Sequence, residues 1–142
     1  MTIRAILAGR DGSIWSATGD ERVADVVARL TDKRIGAVPV IDGENVVGIF
    51  SERDVMHCLT AHGAAALDML VRDVMTSPVV SIAPDTAVLA ALSLMSRRRF
   101  RHLPIIDGDR LVGFVSIGDL VKYRIERIEA EAAAMRDYIA GA

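Results

Sequence analysis

Two stretches of the chain place apolar residues at helical spacing shortly after an aspartate: Val23, Val26, Val27 and Leu30 follow Asp20, and Val88, Leu89, Leu92 and Met95 follow Asp85. Each stretch predicts an amphipathic helix, with the aspartate standing where a helix cap belongs. The period then changes. Residues 37–41 and 46–51 are short, branched and apolar, and Asp42-Gly43 between them opens a tight turn, which predicts a β-hairpin. Asp107-Gly108 repeats the signal further on. Apolarity in these runs is continuous rather than alternating, so the strands are expected to be covered on both faces. A short strand is expected before each helix, over residues 13–17 and 79–82, giving each unit the order strand, helix, strand, strand, helix.

The two patterns are one pattern written twice. Val38-Pro39-Val40-Ile41-Asp42-Gly43 and its continuation to Asp54 return 65 residues later as Leu103-Pro104-Ile105-Ile106-Asp107-Gly108 and its continuation to Asp119. Two copies make a tandem rather than an open solenoid, and the duplication predicts a pseudo-twofold pair with two equivalent clefts. The boundaries read as a first unit at 1–62, a linker at 63–70, a second unit at 71–125 and a helical extension at 126–142. The entries to the first strands differ, because Ala8-Gly9-Arg10-Asp11-Gly12 is longer than Thr76-Ser77-Pro78, and the insertion is expected to enlarge or reshape one cleft. The last helix is predicted from 116 to about 139. Its apolar residues Val121, Ile125, Ile128, Ala132, Met135 and Ile139 recur at steps of four and three, a narrow seam suited either to a partner helix or to the chain's own core.

Composition sets the class. Of 142 residues, 51% are hydrophobic and only 4% aromatic, the texture of an α/β core built from Val, Ile, Leu and Ala. A formal charge of −2 gives no general attraction to nucleic acid or to anionic membranes. Arg97, Arg98, Arg99 and Arg101 form the local exception, yet no aromatic platform accompanies them as single-strand binding would favour, so they read as solvated or phosphate-facing. A lone Trp15 on a first strand reads as a core or rim residue, with base stacking as the alternative. The single Cys58 precludes an internal disulfide, nothing at the amino terminus reads as a secretory signal, and no apolar run approaches bilayer length; a soluble, cytoplasmic protein is expected.

His57, Cys58 and His62 fall short of the four ligands of a closed zinc site, so no metal is expected. No nucleophile elbow, metalloprotease helix or phosphate loop is present, and neither Ser51 nor Ser116 has an adjacent histidine to act as base. Catalysis is not expected, and no residue is assigned to it.

What remains is the motif after each hairpin, Gly48…Ser51-Glu52-Arg53-Asp54 and Gly113…Ser116-Ile117-Gly118-Asp119. Serine followed three residues later by an acid is close to a capping box, which satisfies free amides at a helix start. A helix start beside strand ends can also receive anionic groups, and a carboxylate there can accept hydrogen bonds from a vicinal diol such as ribose.

Over about residues 2 to 125, the doubled hairpin and Gly-x-x-Ser-x-x-Asp motif resembles the cystathionine-β-synthase (CBS) domain pair. The resemblance implies an α/β fold of two β-α-β-β-α units packed with pseudo-twofold symmetry, and clefts that hold adenine nucleotides. It implies that Asp54 and Asp119 bind ribose hydroxyls, that Ser51 and Ser116 help hold ribose or phosphate, and that Ile14, Ser16, Val79 and Ser81 flank the adenine. It places phosphate contacts just before the hairpin, where the second unit has Arg101-His102 and the first has Gly36-Ala37. The Asp119 cleft is therefore expected to be the better phosphate site, while Gly36 and Ala37 leave room in the Asp54 cleft for a phosphate reached by Arg53, Lys33 or Arg34. The expected function is a regulatory sensor, with no cofactor required, that binds AMP, or ATP, ADP or NAD, forms a homodimer and acts on an unidentified protein. The alternatives are a ligand-independent scaffold, in which the Ser-Asp pairs are only caps, and a sensor of S-adenosylmethionine.

Overall fold

The computed structural model describes residues 1–141. Helix α1 (Ile3–Ala8) leads to strand β1 (Ala17–Thr18), helix α2 (Val23–Lys33) and the hairpin β2 (Ala37–Asp42) and β3 (Asn45–Ser51). Helix α3 (Glu52–His62), a 3-10 turn (Gly63–Asp68) and the short helix α4 (Val71–Val74) carry the chain to the second unit. That unit comprises helix α5 (Val88–Arg98), the hairpin β4 (His102–Asp107) and β5 (Arg110–Ser116), and the long helix α6 (Ile117–Gly141). The result is the α/β pair of repeated units that the duplicated pattern predicts.

Both hairpins turn on a glycine with positive φ, 62° at Gly43 and 65° at Gly108, as a two-residue turn between twisted strands requires. Each ladder shifts register at the matched place, between Val40 and Ile41 and between Ile105 and Ile106. The first four residues of β2 are all buried, as continuous apolarity predicts, whereas β3 alternates towards its end.

The first strands are shorter than the pattern suggests. Only Ala17 and Thr18 pair in parallel with β2, and in the second unit only Ile82 pairs, with Ile105. Side chains take the groups a longer β1 ladder needs: the Ser13 amide donates to Asp11 at 2.8 Å and the Ser16 carbonyl accepts from Arg29 at 2.9 Å. The helix caps also differ from expectation. Arg22 and Ala87, not Asp20 and Asp85, are the cap residues of α2 and α5, and neither uses a side chain. Distant carbonyls do the work instead, since the Val23 amide donates to Met69 O and the Val88 amide to Met1 O. Asp20 accepts from Thr18 Oγ1 at 2.6 Å, and Asp85 pairs with Arg4.

Those carbonyls belong to an exchange between the units. Ile3 and Ile6 of α1 lie in the core of the second unit with Val88, Ala91, Met95, Leu103, Ile105, Val115 and Leu120. Val71 of α4 lies in the core of the first with Val23, Val26, Val38, Val40 and Phe50. The exchange is symmetrical in detail: Ile3 N donates to Thr86 O and Arg4 N to Pro84 O, as Val71 N donates to Glu21 O and Arg72 N to Gly19 O. Gly48 and Gly113 let the exchanged segments pass close over the hairpins, for a side-chain carbon at either would stand 2.5 Å from Met75 Sδ or Leu7 Cδ2.

Candidate functional site

Two clefts open between the units, of about 420 and 500 Å³, each within the roughly 300–1,000 Å³ typical of small-molecule sites. Each is composite. The first joins Ser116 and Asp119 of the second unit to Ile14, Trp15 and the post-helix turn Arg34–Ala37 of the first unit, with Arg10 at its edge. The second joins Ser51, Glu52 and Arg53 of the first unit to Val79, Thr76 and the matching turn Arg99–His102 of the second unit.

This regroups the residues singled out from sequence. Arg101, expected with Asp119, lines the Ser51 cleft, while Ala37 and Arg34, expected with Asp54, line the Asp119 cleft. Gly36 and His102 border both. Ile14 stands in the Asp119 cleft and Val79 and Arg53 in the Ser51 cleft, whereas Ser16, Ser81 and Lys33 line neither. The physical reason is the pseudo-twofold axis, which sets the end of one unit's hairpin beside the other unit's post-helix turn.

Both Ser-Asp pairs are capping boxes. The Asp54 amide donates to Ser51 Oγ and the Ser51 amide to Asp54 Oδ2 at 2.9 Å; Asp119 N donates to Ser116 Oγ at 3.1 Å and Ser116 N to Asp119 Oδ2 at 2.8 Å. The box consumes one carboxylate oxygen and leaves the other to the surroundings. There the copies part. Asp54 is 7% exposed, and its Oδ1 accepts from Thr76 Oγ1 at 2.7 Å, so its acceptors are engaged inside the protein and it does not line the cleft. The Asp119 side chain is 38% exposed, Arg10 Nη2 lies 3.0 Å from Oδ2, and Oδ1 has no hydrogen-bond partner among the described residues.

Charge in the Asp119 cleft is set by these contacts. Burial pushes the Asp119 carboxyl up, but the Ser116 amide and the Arg10 guanidinium outweigh it and hold the group below the ordinary carboxylate value. Arg10 also donates to the Phe114 carbonyl at 3.1 Å. Burial pushes His102 below the ordinary histidine value, and its ring stacks on Phe114 with centroids 5.6 Å apart. Burial thus disfavours the positively charged form of His102 beside both clefts. Trp15, 48% exposed, stands at the cleft rim with the Lys33 ammonium 4.3 Å from its ring centroid.

Arg34 and Arg99 occupy matched positions, each in the left-handed region after a helix, with φ of 55° and 56°. Each lines one cleft. In the Ser51 cleft Arg99 is joined by Arg53, Arg98 and Arg101, and none of the four lies within an ion pair among the described residues. The His57, Cys58 and His62 group does not assemble: Cys58 is buried with its thiol directed to the Val55 carbonyl, and no metal-binding cluster is found among the described residues. No described helix is long and apolar enough to cross a membrane.

Arg10 and Thr76 escaped the sequence reading, although a signal for both is present. Downstream of the first strands the copies align at an offset of 65, but Ile3-Arg4-Ala5-Ile6-Leu7-Ala8 aligns with Val71-Arg72-Asp73-Val74-Met75-Thr76 at 68. At that offset Ala8 stands where Thr76 does, so the second unit's aspartate loses its hydroxyl partner, and the longer connection that follows delivers Arg10 instead.

The profile of the CBS domain matches residues 13–61 and 71–126. The chain belongs to the CBS-domain family. It is similar to the mitochondrial CBS domain-containing protein CBSX3 of Arabidopsis thaliana, with 33% identity over 136 residues covering 92% of this chain and 66% of that one. It thus spans just under two thirds of that relative's length. The crystal structure of the CBS-domain protein ATU1752 from Agrobacterium tumefaciens superposes with a TM-score of 0.83 at 33% identity, covering 87% of this chain and 92% of that one. CBSX2 in complex with AMP shares the fold, with a TM-score of 0.71 at 24% identity, covering 82% and 90% of the two chains.

Proposed function

We propose that this CBS pair is a sensor that binds an adenine nucleotide, AMP foremost, in the Asp119 cleft and relays its occupancy to a partner protein. One observation carries the reading: Asp119 keeps a carboxylate oxygen without a partner among the described residues, in a cleft that also holds Arg10 and Arg34. A ribose diol fits the free oxygen, and the guanidinium groups fit a phosphate by charge-assisted, bidentate hydrogen bonds. Ile14 and Ala37 supply apolar and backbone surface for the base. A solved CBS pair of the same fold carries AMP, which accords with this choice of ligand.

The Asp119 cleft has walls from both units, so a ligand there makes differential contacts with closed and open arrangements. That difference shifts the population towards the closed form, and a partner sensitive to the arrangement receives the signal. The reading assigns no catalytic step and no metal.

Calorimetric titration with AMP, ADP, ATP, NAD and S-adenosylmethionine tests it. One AMP per chain is expected, with Asp119→Ala weakening binding by roughly 10- to 100-fold through loss of hydrogen bonds to a charged acceptor. Asp54→Ala is expected to lower stability while leaving AMP binding nearly intact. If no ligand in the panel titrates while both alanine variants lose stability, the paired serines and aspartates are caps alone and the chain is a scaffold.

A further inference from the structure

Helix α6 outruns the domain it starts in. Leu120 is fully buried against the second core, but the seam residues Val121, Ile125, Ile128, Met135 and Ile139 are 43%, 50%, 49%, 59% and 67% exposed. The seam therefore does not lie on the chain's own core. Val121 to Ile139 spans about 27 Å of helix at roughly 1.5 Å per residue. In heptad terms Ile125, Ala132 and Ile139 fall at a and Val121, Ile128 and Met135 at d, with Lys122, Glu129 and Arg136 at e and Arg124, Glu131 and Tyr138 at g.

We infer that α6 pairs with α6 of a second copy of this chain as a parallel, in-register two-stranded coiled coil over residues 121–139. Charge selects this arrangement. In a parallel pair each g residue faces the e residue five positions further along the partner. Arg124 then meets Glu129 of the other copy and Glu131 meets Arg136, each twice by symmetry. None of these four residues is in an ion pair within its own chain among the described residues. An antiparallel pair that buries the whole seam sets Glu129 against Glu129, Glu131 against Glu131 and Lys122 against Arg136. An antiparallel pair slipped by one heptad relieves that repulsion, but leaves Met135 and Ile139 uncovered. Only the parallel register covers all six seam residues without setting like charges together at e and g. The inference stands apart from the nucleotide reading, since no residue is shared between the seam and the Asp119 cleft.

Light scattering on the full chain, with site-directed cross-linking, tests the pairing. Twice the chain mass of 15.3 kDa is expected. In a Cys58→Ser background, Ile128→Cys alone should form a disulfide-linked dimer under mild oxidation, because equivalent d residues face each other only in the parallel register. Glu129→Lys is expected to weaken the dimer roughly tenfold by turning attraction to repulsion at both copies of one pair, and adding Arg124→Glu to restore it. A monomeric chain overturns the inference. So does a dimer that survives Ile128→Asp, which is then built elsewhere, and so does a dimer that cross-links only when Ala132→Cys accompanies Ile128→Cys, which is then antiparallel.

Discussion

Thr76 Oγ1 donates a 2.7 Å hydrogen bond to Asp54 Oδ1 across the boundary between the two units, and the matched position for Asp119 is held by Ala8. With the deeper burial of Asp54 and the Arg10 partner of Asp119, this difference separates a structural aspartate from one open to a ligand. It also ties α4 to the first unit at the point where the Thr76 amide bonds the Ile49 carbonyl at 2.8 Å. Thr76→Ala leaves a buried carboxylate oxygen unsatisfied, so stability is expected to fall by about 1–3 kcal/mol in urea unfolding. AMP stoichiometry is expected to remain one, since Asp54 stays buried, lines neither cleft and has no counterpart of Arg10 paired with it among the described residues.

In the proposed nucleotide site Arg10, 3.0 Å from Asp119, faces the phosphate. Arg10→Ala is expected to weaken AMP binding by roughly tenfold or more, the worth of one charge-assisted contact, while adenosine affinity changes little. Parallel titrations of the two ligands check this. Equal losses for both would place Arg10 on the ribose or the base rather than on the phosphate.

Arg34 sets stability against binding. Its φ of 55° is a conformation that glycine adopts freely and other residues at a cost of roughly 1–2 kcal/mol. Arg34→Gly should therefore raise stability by up to about 1 kcal/mol after the added freedom of the unfolded glycine is deducted, and the same change should weaken AMP. Denaturant melts and titrations on one preparation check the opposing signs. A loss of both quantities would make Arg34 a packing residue.

His102 links folding to pH. Burial lowers its pKa in the folded chain, so the unfolded chain binds more protons on acidification. Stability is undiminished above the ordinary histidine value of 6.5 and falls as pH drops from there to the lowered folded value. His102→Phe keeps a ring to stack on Phe114 and should flatten this slope, as melts between pH 7.5 and about 5 would show. Asp119 acts in the same direction but lower on the scale: its contribution is present above the ordinary carboxylate value and is lost as pH falls through the lowered one.

Much of the site was legible from residues within a few positions of each other. Ser51 with Asp54 and Ser116 with Asp119 announce capping boxes because a helix start must satisfy its free amides within one turn. The hairpins follow from Gly43 and Gly108 for an equally local reason. Asp20 and Asp85 misled as caps because the amides in question find carbonyls at Met69 and Met1, brought by segments that packing alone delivers.

The sequence by itself determined the repeated unit, its helices and hairpins, and the two serine-aspartate pairs, since these rest on periodicity and on hydrogen bonds that close within one turn. Tertiary structure decided which cleft each residue serves, placing Arg101 with Ser51 and Arg34 with Asp119. It also decided that α1 completes the second unit's core and α4 the first. Those outcomes depend on burying Ile3, Ile6 and Val71 against strands far away in the chain, and the same exchange brings Thr76 to one aspartate and Arg10 to the other.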